Sequence, residues 1–95
     1  MTEATLALFI AGGAPRSAGA QRNLAAVIAA LGRPEGALRI EVVDVLRDPA
    51  RALEAGLLGT PGLVLTQPGG RRRWFIGDFE RAELLASWLA DALEP

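Results

Sequence analysis

The side chains that could carry chemistry in this chain are few, and the absences narrow the field first. The sequence has no Cys, His, Lys or Tyr. Most groups that serve as nucleophiles or general bases near neutral pH are therefore missing. So are the thiolate and imidazole ligands of zinc sites and any thiol redox couple. The remaining carboxylates offer two close spacings, Asp44 with Asp48 and Asp78 with Glu80, which could suggest an acid–base pair or a metal. Asp48 and Asp78 each precede a helix-like segment, however, where N-capping is a sufficient use worth roughly 0.5–2 kcal/mol. No catalytic, metal-binding or cofactor-binding residue is assigned. Gly12-Gly13-Ala14-Pro15 lacks the Gly-Lys-Ser/Thr that a phosphate-cradling loop requires, and it reads as a turn from strand to helix. What remains is recognition. Arg71, Arg72 and Arg73 form the one charge run, followed by Trp74. Arg pairs bidentately with carboxylates, and an exposed aromatic beside Arg has the composition of an interface hot spot. The competing reading is a solvated hairpin arm with its aromatic packed under a helix.

All ten basic residues are Arg, against eleven acids, for a net charge of −1. That balance exerts no general pull toward nucleic acid or an anionic membrane. Residues 1–95 are expected to form one domain, burying roughly 60–65% of the unfolded surface. The apolar run at 6–11 is far shorter than the ~20 residues of a membrane helix. The N-terminus carries Glu3 and no basic n-region, so no signal peptide is expected. Together with the lack of Cys, this suggests a cytoplasmic protein. A composition rich in Ala, Gly and Arg and free of Lys hints at a GC-rich bacterial genome.

The elements that position these groups follow from hydrophobic period and punctuation. Residues 5–11 are almost wholly apolar and stop at Gly12-Gly13 and Pro15, which predicts a central strand buried on both faces. A helix is expected from Ser17, as N-cap, to Leu31. Leu24, Val27, Ile28 and Leu31 form its inward stripe, Arg22 and Asn23 fall outside it, and Gly32 ends it. Residues 38–45 alternate, with Leu38, Ile40 and Val42 on one side and Arg39, Glu41 and Val43 on the other, so the strand is placed at an edge. Asp48-Pro49 opens a short helix that Gly56 closes. Pro61 leads into a strand at 63–66, Pro68-Gly69-Gly70 supplies a turn, and residues 73–76 return antiparallel. One of Trp74 and Phe75 should face the core and the other should be at least partly exposed. Asp78 is expected to cap a last helix over 79–93, with Leu85, Trp88, Leu89 and Ala92 inward and Glu80 and Glu83 favourable to the dipole at its start.

The order is β-α-β-α-β-β-α, a mixed α/β arrangement. Leu8-Phe9-Ile10-Ala11-Gly12 with Pro15 and Ser17, Val43-Asp44-Val45-Leu46-Arg47-Asp48-Pro49, Thr60-Pro61 and Ile76-Gly77-Asp78 occur in the order, and nearly at the spacing, of the KaiB family of circadian-clock proteins. The chain resembles that family over roughly residues 5–93. The resemblance implies a thioredoxin-like fold with three helices and a four-stranded sheet of order 2-1-3-4. Gly12-Gly13-Ala14-Pro15 then lies where a thioredoxin carries its Cys-x-x-Cys, and Thr60-Pro61 matches the cis-Pro position. A cis bond there mainly aims the third strand; contact with a glutathione-like or peptide-like ligand is the alternative.

The resemblance further implies a non-enzymatic module that binds the KaiC ring ATPase and times its cycle. Family members often switch between a tetramer with a rearranged second half and a thioredoxin-like monomer. A related domain at the front of the clock kinase SasA competes for the same surface. Here the departures favour the thioredoxin-like state. The turn is Pro68-Gly69-Gly70 rather than Pro-rich, and Phe79-Glu80 replaces the family's Leu-Ser. Ala86-Ser87-Trp88-Leu89-Ala90 also lacks the family's helix-weakening Gly, whose removal favours helix by roughly 1 kcal/mol. The family carries an Arg pair before Ile-Gly-Asp, although this chain has one residue more between Thr-Pro and Ile-Gly-Asp. The expected partner surface comprises Arg22, Arg39, Glu41, Arg71, Arg72, Arg73 and Trp74, joining the second strand, the Arg arm and the start of the first helix. The partner is a KaiC-type ATPase or related signalling protein, with a homo-oligomer through the exposed strand also open. The rivals are an adaptor or sensor domain for a signalling kinase, and a glutathione- or peptide-binding enzyme relying on Ser17 or the backbone near Pro61.

Overall fold

The computed structural model describes residues 3–33, 37–76 and 79–94. Seven elements follow one another: β1 (Ala4–Ile10), α1 (Pro15–Leu31), β2 (Leu38–Asp44), α2 (Pro49–Ala55), β3 (Gly62–Thr66), β4 (Arg72–Phe75) and α3 (Ala82–Ala92). The four strands form one sheet in the order β2-β1-β3-β4. β1 runs parallel to β2, from Ala4 opposite Leu38 to Ile10 opposite Asp44. It runs antiparallel to β3, with Ala7 opposite Val64. The β3–β4 hairpin sets Val64 opposite Trp74 and Thr66 opposite Arg72.

The apolar content of β1 is explained by what covers it. Ala4, Leu6, Leu8 and Ile10 face Ala20, Leu24 and Val27 of α1 and Leu85, Leu89 and Ala92 of α3. Ala7 and Phe9 face the other way, joining Val43 and Val64 under Ala52, Ala55 and Leu57. Leu6, Leu63, Leu65, Leu85 and Leu89 are completely buried, each contributing about 1.5–3 kcal/mol relative to exposure. The helix stripes are as expected, with Ile28, Leu31 and Trp88 partly buried at their margins. Gly32 and Gly56 close α1 and α2 in the left-handed conformation, which glycine adopts without a Cβ clash.

Several local expectations are corrected. α1 begins at Pro15, and Ser17 lies inside it, buried rather than capping. Asp48 does occupy the N-cap position of α2, but its side chain makes no capping bond. α3 starts later than expected, with Arg81 at its N-cap; Glu83 falls in its first turn and Glu80 precedes it. The cap expected at Asp78 lies outside the described residues. In β2 the edge position holds, but the apolar face is only half covered. Ile40 and Val42 are 46% and 52% exposed while Val43 is buried, because an open groove separates them from α1.

Candidate protein-binding surfaces

The loop end of the sheet is built from three long-range ties. The Ala11 N–H donates to Ser17 Oγ at 3.1 Å, so the hydroxyl that sequence reasoning offered as a cap instead fastens the end of β1 to the first turn of α1. Asp44, the last residue of β2, accepts from the Gly12 N–H and the Leu46 N–H through the same Oδ1, both at 3.0 Å. That carboxylate is occupied in holding two loops together. Asn23 Nδ2 donates to the Phe79 carbonyl at 2.8 Å, tying α1 to the segment before α3. The Thr60-Pro61 bond is cis. Beside Pro61 lies a cleft of about 460 Å³ bordered by Pro15, Arg16, Arg22 and Phe79.

At the opposite end the pleat divides the arginine run. Arg73 points to the α3 layer and pairs with Asp91 at 2.9 Å. Arg72 points to the α2 layer, where its Nη1 donates to the Glu54 carbonyl at 3.3 Å. Arg71 precedes the strand and is exposed, its carbonyl accepting from the Gln67 N–H at 2.8 Å. The three cations are therefore not one patch, for a strand turns successive side chains to opposite faces. The aromatics divide the same way. Phe75 packs edge-on against Phe79 at 5.2 Å and against Trp88 at 5.4 Å. Trp74 stays 45% exposed, its indole N–H donating to the Ala55 carbonyl at 2.8 Å.

Of the seven residues singled out from sequence, four lie on the α2 face of the sheet, Arg39 and Glu41 on β2 and Arg72 and Trp74 on β4. α2 leaves part of its sheet face open. Glu41 and Arg72 line the open remainder with Thr5, Thr66 and Arg51, and Glu41 pairs there with Arg51. Trp74 flanks this region on the same face, as its pairing with Val64 requires. Arg39, on the edge strand, is exposed and has no ion-pair partner among the described residues. Arg22 lies on α1, on the other layer, beside Pro61. β2 and β4 are the two outer strands of the sheet, roughly 14 Å apart at the usual strand spacing. The single continuous surface expected from sequence thus separates into two edges and a helix end.

Sequence reasoning missed an apolar group. Trp74, Ile76 and Leu58 are 45%, 48% and 91% exposed, and Ile76 borders Gly59 at the end of the loop that carries Leu58. The visible signal was two apolar residues spaced by two, Trp74 in β4 and Ile76 just past its end, beside a helix only seven residues long.

A four-stranded sheet of this order, three helices and a cis-Pro before β3 define a thioredoxin-like domain, here one without a thiol. Comparisons with known proteins carry this further. The KaiB domain pattern matches residues 7–90, and the chain belongs to the KaiB family. No curated protein matches it closely in sequence. Among solved structures, the N-terminal domain of Synechococcus elongatus SasA superimposes with a TM-score of 0.75 at 24% identity, covering 96% of this chain and 83% of that one. Mitochondrial thioredoxin 3 from Saccharomyces cerevisiae gives 0.76 at 22% identity, covering 96% and 80%. Thioredoxin from Trypanosoma brucei brucei gives 0.75 at 16%, covering 98% and 77%. At these identities the structural likenesses establish the fold.

Proposed function

We propose that this chain is a non-enzymatic regulatory module of the KaiB family, a single cytoplasmic domain that binds a KaiC-type ring ATPase and modulates its cycle. The observation that carries the reading is where the polar groups of the loop end are spent. Ser17 is buried with its hydroxyl occupied, and Asp44 is engaged by two backbone donors. The exposed binding groups lie elsewhere, at the β4 side. Arg72, Trp74 and Ile76 share one face there, and Trp74 is of the type that anchors interfaces. Arg71 extends this surface. Arg22, Arg39, Glu41 and Arg73 belong to the proposed set as outlying contacts.

The domain is further proposed to remain in its thioredoxin-like state. α3 is held at its far end by Gln67 Nε2 donating to the Ala92 carbonyl at 2.7 Å and by the Arg73–Asp91 pair. Near its start the helix segment is held by the Phe75–Phe79–Trp88 cluster. An uninterrupted helix with these ties widens the gap to any alternative packing. The test is titration against the ATPase of the same organism with ATP and with ADP, followed by the mass of the complex. A nucleotide-dependent ring complex is expected. Its absence in both nucleotide states would refute the reading.

The likeness to the SasA domain favours one second reading, an adaptor or sensor domain for a signalling kinase, which binding to a kinase and not to the ATPase would distinguish. Saturable glutathione binding in the cleft beside Pro61 would point instead to a ligand-handling enzyme.

A further inference from the structure

The second edge of the sheet, which supplies Arg39 and Glu41 as outlying contacts of the proposed partner surface, also carries a self-complementary pattern. β2 pairs with β1 on one side alone. Its outward residues are Leu38, Ile40 and Val42 on the α1 layer and Arg39 and Glu41 on the α2 layer. Beside the first three, an apolar groove of about 390 Å³ runs between β2 and α1, walled by Leu8, Leu24, Ile28, Ile40 and Val42. Soluble proteins normally shield an edge of exposed β-branched residues by charge, proline or a bulge. Here Ile40 and Val42 are left about half exposed.

We infer that a second copy of this chain covers this edge, with β2 pairing antiparallel to its own symmetry mate to make one eight-stranded sheet. The argument is register. A two-fold axis perpendicular to the sheet pairs only residues that lie on the same face, and a symmetric contact must complement itself. Centring the axis on Arg39 or on Glu41 opposes like charges. Centring it on Ile40 places Arg39 of each copy opposite Glu41 of the other, twice, and Leu38 opposite Val42, twice, with the two Ile40 side chains meeting at the axis. Directly opposite pairs interact most strongly in an antiparallel ladder, opposite charges favourably and like charges unfavourably. The segment Leu38-Arg39-Ile40-Glu41-Val42 is thus self-complementary in charge and in apolar character about its own centre. In this arrangement the two apolar grooves become neighbours on one side of the joined sheet. Arg39, without an ion-pair partner among the described residues of the single copy, gains one. Glu41 keeps Arg51 beside it, so two arginines flank each carboxylate.

The inference does not rest on ATPase binding, and it is tested on the protein alone. Sedimentation equilibrium should show a reversible species of twice 10.0 kDa. The variants R39E and E41R, each checked for an unchanged circular dichroism spectrum, should self-associate at least about tenfold more weakly, since each sets like charges opposite one another at both pairs. Mixing them should restore a dimer, because an acidic edge then faces a basic one; native mass spectrometry would read this as a heterodimer. I40K should be monomeric, and W74A should dimerise like the wild type. A monomer that persists at roughly millimolar concentration, where mass action populates even weak dimers, would overturn the inference. So would a dimer that R39E leaves intact, or a mixture of R39E and E41R in which no heterodimer appears.

Discussion

Replacing Asp44 separates a hydrogen-bonding role from a charge role. Oδ1 of Asp44 receives two backbone donors, Gly12 N–H and Leu46 N–H, each at 3.0 Å. Arg47 lies 3.8 Å from the other carboxylate oxygen and its side chain is 89% exposed, so that pair adds almost nothing. In D44A both donors lose their partner. With the Asp44 side chain itself 24% exposed, each bond is discounted to about 1 kcal/mol and the pair to about 2 kcal/mol. For a domain of this size 1 kcal/mol lowers Tm by roughly 4–8 °C, so D44A should melt about 8–16 °C below the wild type. D44N keeps a carbonyl oxygen that can accept both bonds. A neutral acceptor is roughly half as strong as a charged one, and the loss should be no more than about half that of D44A. Thermal unfolding followed by circular dichroism at low and at high salt measures both. Equal losses in D44A and D44N would refute the reasoning, because charge rather than bonding would then be the cause. So would a D44A loss below about 4 °C, the low end for 1 kcal/mol.

The interface reading is checked by isothermal titration against the ATPase, in which W74A and R72A should weaken binding about tenfold or more and R73A, an outlying contact that faces α3 and Asp91, clearly less. Leu89, completely buried between α3 and the sheet, should lose about 2–5 kcal/mol on substitution by Ala in urea denaturation, enough to unfold much of a small domain. G12A should lower stability by about 1–2 kcal/mol, since Gly12 sits at φ +56°, and a non-glycine residue pays that strain regardless of space. On the exposed face of α3, A90G should reduce stability by about 1 kcal/mol and speed amide exchange through the helix; exchange confined to the termini would count against the role assigned to α3.

Much of the fold was legible because its signals are local. The apolar run of β1 could also have been a short helix, but its length favoured a strand covered on both sides, and it is one. Pro49, Gly32 and Gly56 mark helix ends through backbone restrictions that act within a single residue. The family motifs likewise sit at turns and element starts. The surface was less legible. Ser17 has the look of an N-cap, yet whether its hydroxyl turns outward to the helix end or inward to Ala11 depends on where β1 lies. Arg71, Arg72 and Arg73 read as one cluster along the chain, and only the pleat assigns Arg72 and Arg73 to different layers.

Taken by itself, then, the sequence determined the order of elements, the thioredoxin-like class, the family and the lack of thiol or imidazole chemistry. The element order and the missing chemistry depend on composition, period and backbone preference, which neighbouring residues settle among themselves, while the family and the sheet order it implies came from the resemblance of short ordered motifs. The tertiary structure alone decided that Asp44 is a brace across 32 residues, that the expected partner surface divides between opposite edges, and that Ile40 and Val42 remain open beside α1. Such outcomes depend on which layer ends where, and that is set by the packing of helices on the sheet over distances no local pattern spans.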